Sequence, residues 1–583
     1  MWYPLFRTVE AMPPIDPDEE FDLIVVGSGN GACGFLGECL RHVPADYRVL
    51  VLEEGDNFFT TSNITHQDGW SKSYANGSAF TLHNAVTPNG RSVLAGRART
   101  LGGGGSINYT MIHESSEWLV EQAGRDVAYW DKCKEELNAS LKRPDPLKEG
   151  YQTPFADVIA DNAQKAGYAA PNKDDMIQNI PSVNESENKK RLYYFPTQFD
   201  RFGSRTNSGV SLVNWEQINY RWNTTVTGLV MDKTTESEGT ACTGVQTRNK
   251  EGVNVTYNVK KDTGRVVLCG GSQSPRLLLN TKELAGNEKI GQRVNDHICM
   301  PLAIYVVKED KASLVGATDN YESLFAEIVV EGKSDDGDAV TTNVCIDFFS
   351  GDVLRLIYLI SSLYLCYVPL NGVKVFMGRF PIFFTYLSNT LRMILTAIIS
   401  LIQLLGRLIP FLPREIKITT ALVKFNASKE GYYERSGSKI VLPFFDDERD
   451  YAIAEEAINK NLEFLESYGT KPPFIIRKLF QFLTKIPYRQ GRQVRRYVRN
   501  FARKTLLSEQ HLAGGCVFGD VVDKGLEDSS KTGQVFGTSN LYVADLSIVP
   551  LPRVSTQMTA YLMGHHVAKQ LYSCKKFCWK KDN

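Results

Sequence analysis

A glycine-rich turn between a short apolar run and a helical pattern limits the folds open to this chain. Residues 21–26 read FDLIVV, a run of branched apolar side chains that is typical of a buried parallel strand. The turn GSGNGA follows immediately. Gly27 permits a tight turn, Gly29 allows a pyrophosphate to approach the backbone, and the small Ala32 allows close helix–strand packing. The first amides of the following helix would then face the phosphate.

A second strand, predicted at residues 48–52, ends at Glu53, which lies 24 positions after Gly29. A carboxylate at this position can accept hydrogen bonds from the ribose hydroxyls of an adenosine. The glycine turn alone would also fit a purely structural connection. Together with both strands and the acid, it predicts a βαβ unit that binds a dinucleotide, without separating FAD from NAD.

The composition fits a globular protein of more than one domain. With 583 residues, 43% of them hydrophobic, the chain can bury a large core. Sixty-six basic residues balance 66 acidic ones, so no net charge marks a nucleic-acid binder. Strand-like and helix-like segments alternate over the first half, which predicts an α/β architecture. The eleven cysteines show no CxxC pair or zinc-like spacing, which argues against a disulfide framework and a structural metal.

The run GRARTLGGGGSIN at residues 96–108 resembles the first signature of the glucose–methanol–choline (GMC) oxidoreductases. In that signature a basic residue, a Leu-Gly-Gly turn and a terminal Asn run along the flavin; those places are taken here by Arg99, Gly102, Gly103 and Asn108. Four successive glycines also expose amides that can lie against a flat ring or a phosphate. The glycines alone would equally fit a flexible loop.

Further segments resemble the same family, in the family's own order. They are the helix after the flavin loop at 117–130, a flavin-shielding segment at 204–215, the second signature at 269–279 and the turn after it at 290–297. The resemblance also implies that Val226 lies against the adenine, and that Asp545 and the Leu546 amide meet the pyrophosphate and the ribityl chain. It implies FAD as the cofactor.

The resemblance implies a catalytic histidine at His511, in the run HLAGGC. Near neutral pH an imidazole can accept an alcohol proton while the α-hydrogen leaves as hydride to flavin N5. The family's second position, a His or an Asn, has changed. One alignment of STQMTAYLMG places Ser555 there, and counting from Pro550 places Thr556 there. Neither is a base, so catalysis would rest on His511 alone.

The resemblance implies oxidation of an alcohol. An apolar segment of the chain, residues 353–414, adds the expectation that this alcohol is lipophilic, such as a long-chain fatty alcohol or a sterol. The altered second position leaves two alternatives open. One is an FAD-dependent lyase or decarboxylase of the same fold that acts on a lipid, and the other is a flavin-binding membrane protein without redox turnover. The sequence does not identify the electron acceptor.

Residues 353–414 contain six basic residues and no acidic one. Within them, polar residues at 392, 396, 400, 403 and 407 form a stripe of about 80° on a helix that is otherwise almost wholly apolar. The favoured interpretation is an in-plane helix pair on an anionic membrane surface. Core packing and a membrane-spanning helix are the alternatives. The lipophilic substrate is inferred from this segment.

A second basic stretch, residues 477–504, holds ten Arg or Lys and no acid, with Arg492, Arg496, Arg499 and Arg503 on one helical face. Since no nucleic-acid reading motif accompanies the charge, a lipid surface is the expected partner, with a solvated helix as the alternative. The chain ends KKDN, similar to a dilysine retrieval signal of the endoplasmic reticulum. The predicted localisation is monotopic and membrane-associated, facing the cytosol, with the endoplasmic reticulum as a candidate membrane.

The predicted fold class is α/β: a Rossmann-type FAD-binding domain, a GMC-like α+β substrate domain and a hydrophobic helical insertion that faces a membrane. The FAD-binding domain is expected from residues 21–141, 203–300 and 506–573. The substrate domain is expected from 142–202 and 301–505, including the insertion at 353–414. Residues 1–20 and 574–583 are expected to be tails. No metal site is predicted, because the adjacent His565 and His566 point about 100° apart on a helix.

Overall fold

The computed structural model describes most of the two expected domains. The described residues are 19–56, 79–108, 116–141, 154–165, 190–194, 208–233, 239–308, 324–333, 339–352, 417–503, 506–523, 531–552 and 555–573, with seven single residues between 390 and 404. The expected tails lie outside this part of the chain, except for residues 19 and 20.

A five-stranded parallel sheet forms the first core. Its order is β23 (Leu541–Val543), β13 (Arg265–Leu268), β2 (Leu23–Val26), β3 (Val49–Leu52) and β9 (Asn219–Arg221). Every residue of β2 and β3 is buried, as expected for a parallel sheet covered on both faces. Helix α1 (Asn30–Cys39) connects these two strands, so the predicted βαβ unit is present. The predicted strand at 21–26 is interrupted at Asp22, and β1 (Glu20–Phe21) joins another sheet.

Helix α1 packs against the C-terminal helix α10 (Gln557–Ala568) at glycine positions. A Cβ atom on Gly34 would overlap the carbonyl oxygen of Tyr561, and one on Gly564 would overlap the carbonyl oxygen of Gly31. These glycines therefore set the close approach of the two helices. Ala32 is fully buried in the same helix.

A seven-stranded antiparallel sheet forms the second core. Its order is β21 (Gly469–Thr470), β15 (Tyr305–Val307), β18 (Lys417–Asn426), β17 (Ala339–Asp352), β16 (Leu324–Lys333) and β8 (Lys190–Tyr194), and β14 (His297–Pro301) also pairs with β18. Helix α7 (Glu448–Tyr468) packs against this sheet. Because β14 belongs to this sheet, the domain boundary expected at residue 300 falls inside one of its strands.

Smaller elements surround the two cores. A four-stranded sheet has the order β1, β12 (Asn254–Val259), β11 (Thr240–Asn249) and β10 (Thr224–Lys233). A five-stranded sheet has the order β19 (Tyr432–Tyr433), β20 (Ile440–Val441), β5 (Ala85–Val86), β6 (Ser92–Leu94) and β22 (Leu506–Leu507). In a two-stranded sheet, β4 (Phe80–Leu82) pairs with β7 (Gly96–Ala98). The remaining α-helices of the described ranges are α2 (Ser116–Ala123), α3 (Val127–Leu141), α4 (Pro154–Lys165), α5 (Ser208–Ser211), α6 (Ser274–Leu279), α8 (Phe474–Thr484) and α9 (Arg492–Ala502).

Most of the predicted insertion at 353–414 lies outside the described residues. The seven residues described there are helical and exposed, and they include the apolar side chains of Met393, Ile394, Leu401 and Leu404. In the described part of the chain, no helix has the length and apolar character needed to cross a bilayer.

Candidate active site

A cavity of about 520 Å³ opens at the carboxyl ends of β2, β3, β13 and β23. This edge of a parallel sheet is where doubly wound folds bind their ligands. The residues predicted from the sequence that line the cavity are Gly27, Gly29, Glu53, Gly103, Val226, Asp545, Leu546 and Thr556. Those that do not line it are Ala32, Arg99, Gly102, Asn108, His511 and Ser555.

The turn after β2 has a glycine backbone conformation that lets a phosphate approach the chain closely. Gly27 has a φ of +98°, and a Cβ atom there would lie 2.6 Å from the carbonyl oxygen of Cys269, so a larger residue is excluded. A Cβ atom on Gly29 would approach only Gly103, at 3.8 Å from its Cα. The backbone at Gly29 therefore faces the cavity at the start of α1, where amides favour an anion.

Glu53 faces the cavity from the end of β3. Its Oε2 accepts hydrogen bonds from the amide of Ser28 at 3.0 Å and from the hydroxyl of Ser28 at 2.7 Å, and its Oε1 accepts one from the amide of Gly55 at 2.8 Å. Burial raises the pKa of this carboxyl, and the three hydrogen bonds oppose that effect. A carboxylate oxygen can accept two hydrogen bonds, so Oε1 keeps capacity for a ribose hydroxyl.

Asp545 lines the cavity with a carboxylate that four donors already hold. Oδ2 accepts from the amide of Gly271 at 2.8 Å and from the hydroxyl of Ser274 at 2.7 Å, while Oδ1 accepts from the amide and the hydroxyl of Ser547 at 2.8 and 2.6 Å. The side chain therefore fixes the turns after β13 and β23 around the cavity. Its direct contact with a ribityl chain stays a prediction.

The glycine loop at 102–105 contacts the turn that follows β2. Gly102, with a φ of +80°, donates its amide to the carbonyl oxygen of Ser28 at 2.9 Å. Asn108 donates from Nδ2 to Oε1 of Gln557 at 2.7 Å, which ties the loop to α10. Arg99 pairs with Glu54 at 3.1 Å. Of the four residues predicted from this signature, Gly103 lines the cavity and the other three hold the loop in place.

Three side chains in the cavity wall have buried polar atoms without a hydrogen-bond partner in the described structure. They are Gln273 at Nε2, Arg276 at Nε and Nη2, and Gln510 at Oε1. Leaving such groups unsatisfied is costly, so the wall is suited to a polar ligand that supplies the missing partners. A flavin dinucleotide carries phosphate, hydroxyl and carbonyl groups, and the residues present fit it. Gln273 and Arg276 lie within the second signature at 269–279 and Gln510 directly precedes His511, but none of the three was predicted as a site residue from the sequence.

A pair of histidines lies beside the cavity. The Nδ1 atoms of His297 and His511 are 2.9 Å apart, and Nε2 of His297 lies 3.0 Å from the carbonyl oxygen of Pro552. The amide of His511 donates to Oδ1 of Asp296 at 2.9 Å. His297 is completely buried, whereas His511 is partly exposed. His511 itself does not line the cavity, but its neighbours Gln510 and Leu512 do.

With both rings neutral, the partners of the ring nitrogens assign the protons. The carbonyl oxygen of Pro552 can only accept, so Nε2 of His297 carries its proton. Nδ1 of His297 is then an acceptor, and Nδ1 of His511 must donate to it. Nε2 of His511 is left with its lone pair free to accept a proton.

The surroundings keep His511 neutral. Burial, and then the neighbouring His297 and Lys424, hold the pKa of His511 well below its usual range. At neutral pH the ring is therefore in its proton-accepting form. Burial also raises the pKa of Asp296 to about 7, against the hydrogen bonds that it accepts from Ser508 and His511. The run at 290–297 gave a signal for this segment, but not for the contact between the two rings.

Hydroxyl side chains occupy the position that the family resemblance predicts for a second catalytic residue. Ser555 and Thr556 are both buried, and Thr556 lines the cavity directly before α10. A hydroxyl there can orient a substrate by hydrogen bonding, but it cannot serve as a base.

His565 and His566 have different partners on α10. Nε2 of His565 lies 3.0 Å from Oε2 of Glu136, and Nδ1 of His566 lies 2.7 Å from the hydroxyl of Tyr129. Glu38, Glu136 and His565 form the one group in the described ranges with ligand atoms close enough for a metal, but Lys569 binds the same carboxylate oxygen of Glu136. This polar cluster connects α1, α3 and α10.

The fold and the cavity define a dinucleotide-binding protein with a pair of histidines beside the cavity. The family profile described as GMC oxidoreductase matches residues 21–299 and residues 434–564. These two parts make up more than half of the chain, which therefore belongs to the GMC oxidoreductase family. FAD is its cofactor, and the chain is an FAD-dependent oxidoreductase of the class that acts on CH–OH groups.

Curated relatives are alcohol oxidases at low identity. A sinalpyl alcohol oxidase of Nesocodon mauritianus is 24% identical over 597 residues, with 95% of this chain and 89% of the relative covered. An alcohol oxidase of Candida boidinii is 25% identical over 334 residues, with 51% of this chain and 48% of the relative covered. The chain thus matches about half the length of the second enzyme.

Solved structures share the fold. The formate oxidase of Aspergillus oryzae has a TM-score of 0.63 at 15% identity, with 96% of this chain and 99% of that chain covered. The pyridoxine 4-oxidase of Mesorbium loti has a TM-score of 0.62 at 13% identity, with 95% of this chain and 100% of that chain covered. The parallel sheet, the antiparallel sheet and their connections are therefore a shared architecture.

Proposed function

We propose that this protein oxidises a lipophilic alcohol, such as a long-chain fatty alcohol or a sterol, with His511 as the base. The observation that carries the proposal is the contact between His511 and His297, which leaves Nε2 of His511 as a proton acceptor beside the cavity. FAD, when bound, accepts the two electrons that leave the alcohol carbon.

The chain's own residues would hold the cofactor along the cavity. The turn at Gly27 and Gly29 and the start of α1 would hold the pyrophosphate, and Glu53 would accept from the adenosine ribose. Val226 would lie against the adenine. Gln273 and Arg276 supply donors that have no partner in the described structure, so they would bind acceptor atoms of the same ligand.

The proton of the substrate hydroxyl would pass to Nε2 of His511. A neutral imidazole is the required form, and the low pKa of His511 provides it at neutral pH. Thr556 lines the cavity and would orient the alcohol oxygen, while Ser555, buried behind it, would contribute less.

The proposal includes a lipophilic substrate and a membrane location. They are supported by the acid-free basic composition of 353–414 and 477–504 and by the exposed apolar residues between 393 and 404. We propose a monotopic protein on the cytosolic side of a membrane, with the endoplasmic reticulum as the candidate.

The test is anaerobic reduction of the bound flavin, followed by its visible spectrum. Hexadecanol and a sterol in detergent should bleach the flavin faster than methanol, and His511→Ala should slow that bleaching. If none of a broad panel of alcohols reduces the flavin, the proposed reaction is wrong. If methanol is as fast as hexadecanol, alcohol oxidation stands and the lipophilic substrate does not.

A further inference from the structure

Helix α8 carries an apolar outer face. Phe474, Ile475, Ile476 and Phe482 are 63%, 78%, 57% and 71% exposed, whereas Phe480 packs against the core of the antiparallel domain. The outer side of a surface helix in a globular protein is usually polar. Four large apolar side chains on one short helix mark a contact surface.

Cations lie directly beside these rings. Nζ of Lys478 is 5.5 Å from the ring centroid of Phe474, and Nζ of Lys485 is 4.6 Å from that of Phe482. Aromatic rings flanked by long basic side chains suit the boundary between acyl chains and head groups, because the rings enter the apolar layer and the ammonium groups reach the phosphates.

The next helix, α9, extends the positive charge. Its inner side is buried at Val494 and Val498, and its outer side carries exposed arginines. Arg499 pairs with Glu448 at 2.7 Å, but Arg492 and Arg496 have no acidic partner in the described residues. No acid occurs anywhere in 477–504. The surface therefore favours an anionic partner over a neutral or basic one.

The start of α8 and the two strand ends that flank the insertion, at residues 352 and 417, lie on the same side of the antiparallel sheet. Gly351 of β17 pairs with Ile418 of β18, Ile418 pairs with Val306 of β15, and Val306 pairs with Thr470 of β21. These four residues form one row across adjacent strands, about 14 Å long at the usual strand spacing. The insertion leaves the sheet after residue 352 and returns at 417, and α8 begins four residues after Thr470. Both apolar segments therefore start from the same row.

We propose that α8 lies in the plane of an anionic lipid bilayer, on the side of the antiparallel sheet where the chain enters the insertion after residue 352 and leaves it before residue 417. Phe474, Ile475 and Phe482 enter the acyl boundary, and Lys478 and Lys485 contact lipid phosphates. This inference rests on the membrane association in the proposed function and adds the helix that makes the contact. The lysines beside the exposed rings favour an anionic lipid surface over a second copy of the chain, which would bring the same positive charges to the contact.

Flotation of the full-length holoprotein with vesicles tests this docking. Phosphatidylcholine vesicles with and without phosphatidylserine are the probes. The double substitution Ile475→Glu and Phe482→Glu should lower the bound fraction at least about ten-fold, since two apolar side chains that would enter the bilayer are lost. The matched control is Val253→Glu, because Val253 is 54% exposed on the distant turn between β11 and β12. It should bind like the parent protein.

A second arm tests the charge. Lys478→Gln and Lys485→Gln should each weaken binding to phosphatidylserine vesicles by about five-fold and leave the weaker binding to neutral vesicles unchanged. High salt should reduce the difference between the two vesicle types. Flavin content, and reduction of the flavin by an alcohol in detergent, should be unaffected in all these variants, so a failure of docking is distinguishable from a failure of the proposed reaction.

The inference is overturned if the Ile475/Phe482 variant floats as well as the parent protein. It is also overturned if the parent protein stays away from both vesicle types. A parent protein that is dimeric by light scattering, with a monomeric Ile475/Phe482 variant, would assign the apolar face to a second copy of the chain instead.

Discussion

His297 and His511 meet through their Nδ1 atoms, 2.9 Å apart, although 213 residues separate them in the chain. One ring comes from β14 of the antiparallel sheet and the other from the segment after β22. The carbonyl oxygen of Pro552 fixes the proton of His297, and His297 in turn fixes the proton of His511. In the proposed reaction, His297 is therefore a positioning residue and His511 is the base.

This contact predicts that His297 affects both the rate of flavin reduction and its dependence on pH. Because burial and, after it, the neighbouring His297 lower the pKa of His511, replacing His297 should shift the pH profile of the rate to higher pH. His297→Leu removes the acceptor for Nδ1–H of His511, so the proton can move to Nε2 and the base form is lost for part of the population. We expect flavin reduction to slow by roughly 10- to 100-fold, the range for losing a group that orients a functional histidine. His297→Gln keeps an acceptor and a donor and should recover part of the rate. A pH profile unchanged from that of the parent protein would contradict the assigned tautomer.

Replacing His511, the proposed base, should slow flavin reduction more than replacing His297. His511→Ala should leave FAD bound and slow the reduction of the flavin by about 100- to 10,000-fold, the usual effect of losing one acid–base group. Thr556→Ala should cost less, because its hydroxyl only orients the substrate, and Ser555→Ala should cost least. Stopped-flow absorbance measures all three. If His511→Ala reduces its flavin at the parent rate, the base is another residue.

Glu53 is predicted to contribute to FAD binding through the ribose. Glu53→Ala removes a charge-assisted acceptor worth about 1.5 to 3 kcal/mol of binding free energy. Glu53→Gln is the matched control because it keeps an acceptor oxygen beside the amide of Gly55. Titration of the apoprotein with FAD, followed by flavin fluorescence, should rank the parent protein above Glu53→Gln and Glu53→Ala last. Equal affinities would remove Glu53 from the binding site.

Local motifs predicted the parts of the site that are close together in the sequence. The turn at Gly27 and Gly29 and the acid at the end of β3 follow from one βαβ unit, whose geometry is set by residues within about 30 positions of each other. The family resemblance then supplied the order of the remaining segments, and it placed Val226, Asp545 and Leu546 at the cavity.

Contacts between distant segments were not predictable in the same way. The contact of His297 with His511 depends on the pairing of His297 with Asn426 in β18 and on the path of the chain at Pro552. No periodicity in the sequence encodes either relationship. The exposed face of α8 was also missed, because its apolar residues occur in a run that reads equally well as a core helix until burial is known.

Helix packing gives a prediction about stability. Gly34→Ala would place a Cβ atom against the carbonyl oxygen of Tyr561, and neither backbone can move without shifting α1 or α10. We expect the free energy of unfolding to fall by about 1 to 3 kcal/mol or more, as for other overpacked interiors. Gly286→Ala is a control for the loss of glycine alone, because Gly286 lies outside the left-handed region and nothing lies within 4 Å of a Cβ atom there. Thermal unfolding of both holoproteins measures the difference. Equal midpoints would show that the two helices can separate at little cost.

Asp296 predicts how the stability depends on pH. This buried carboxyl has a pKa of about 7 in the folded protein, well above the value of about 4 expected in the unfolded chain. A raised folded-state pKa gives a stabilising contribution that is fully present below pH 4 and is lost as the pH rises through 7. The loss should be about 1.4 kcal/mol for each pH unit between these values.

Asp296→Asn removes the titration while keeping an oxygen that can accept from the amide of His511. The free energy of unfolding of the parent protein relative to Asp296→Asn should therefore fall from pH 5 to pH 8. Denaturant titrations at four pH values in that window measure it, and curves that stay parallel would show that Asp296 is ionised in the folded protein throughout.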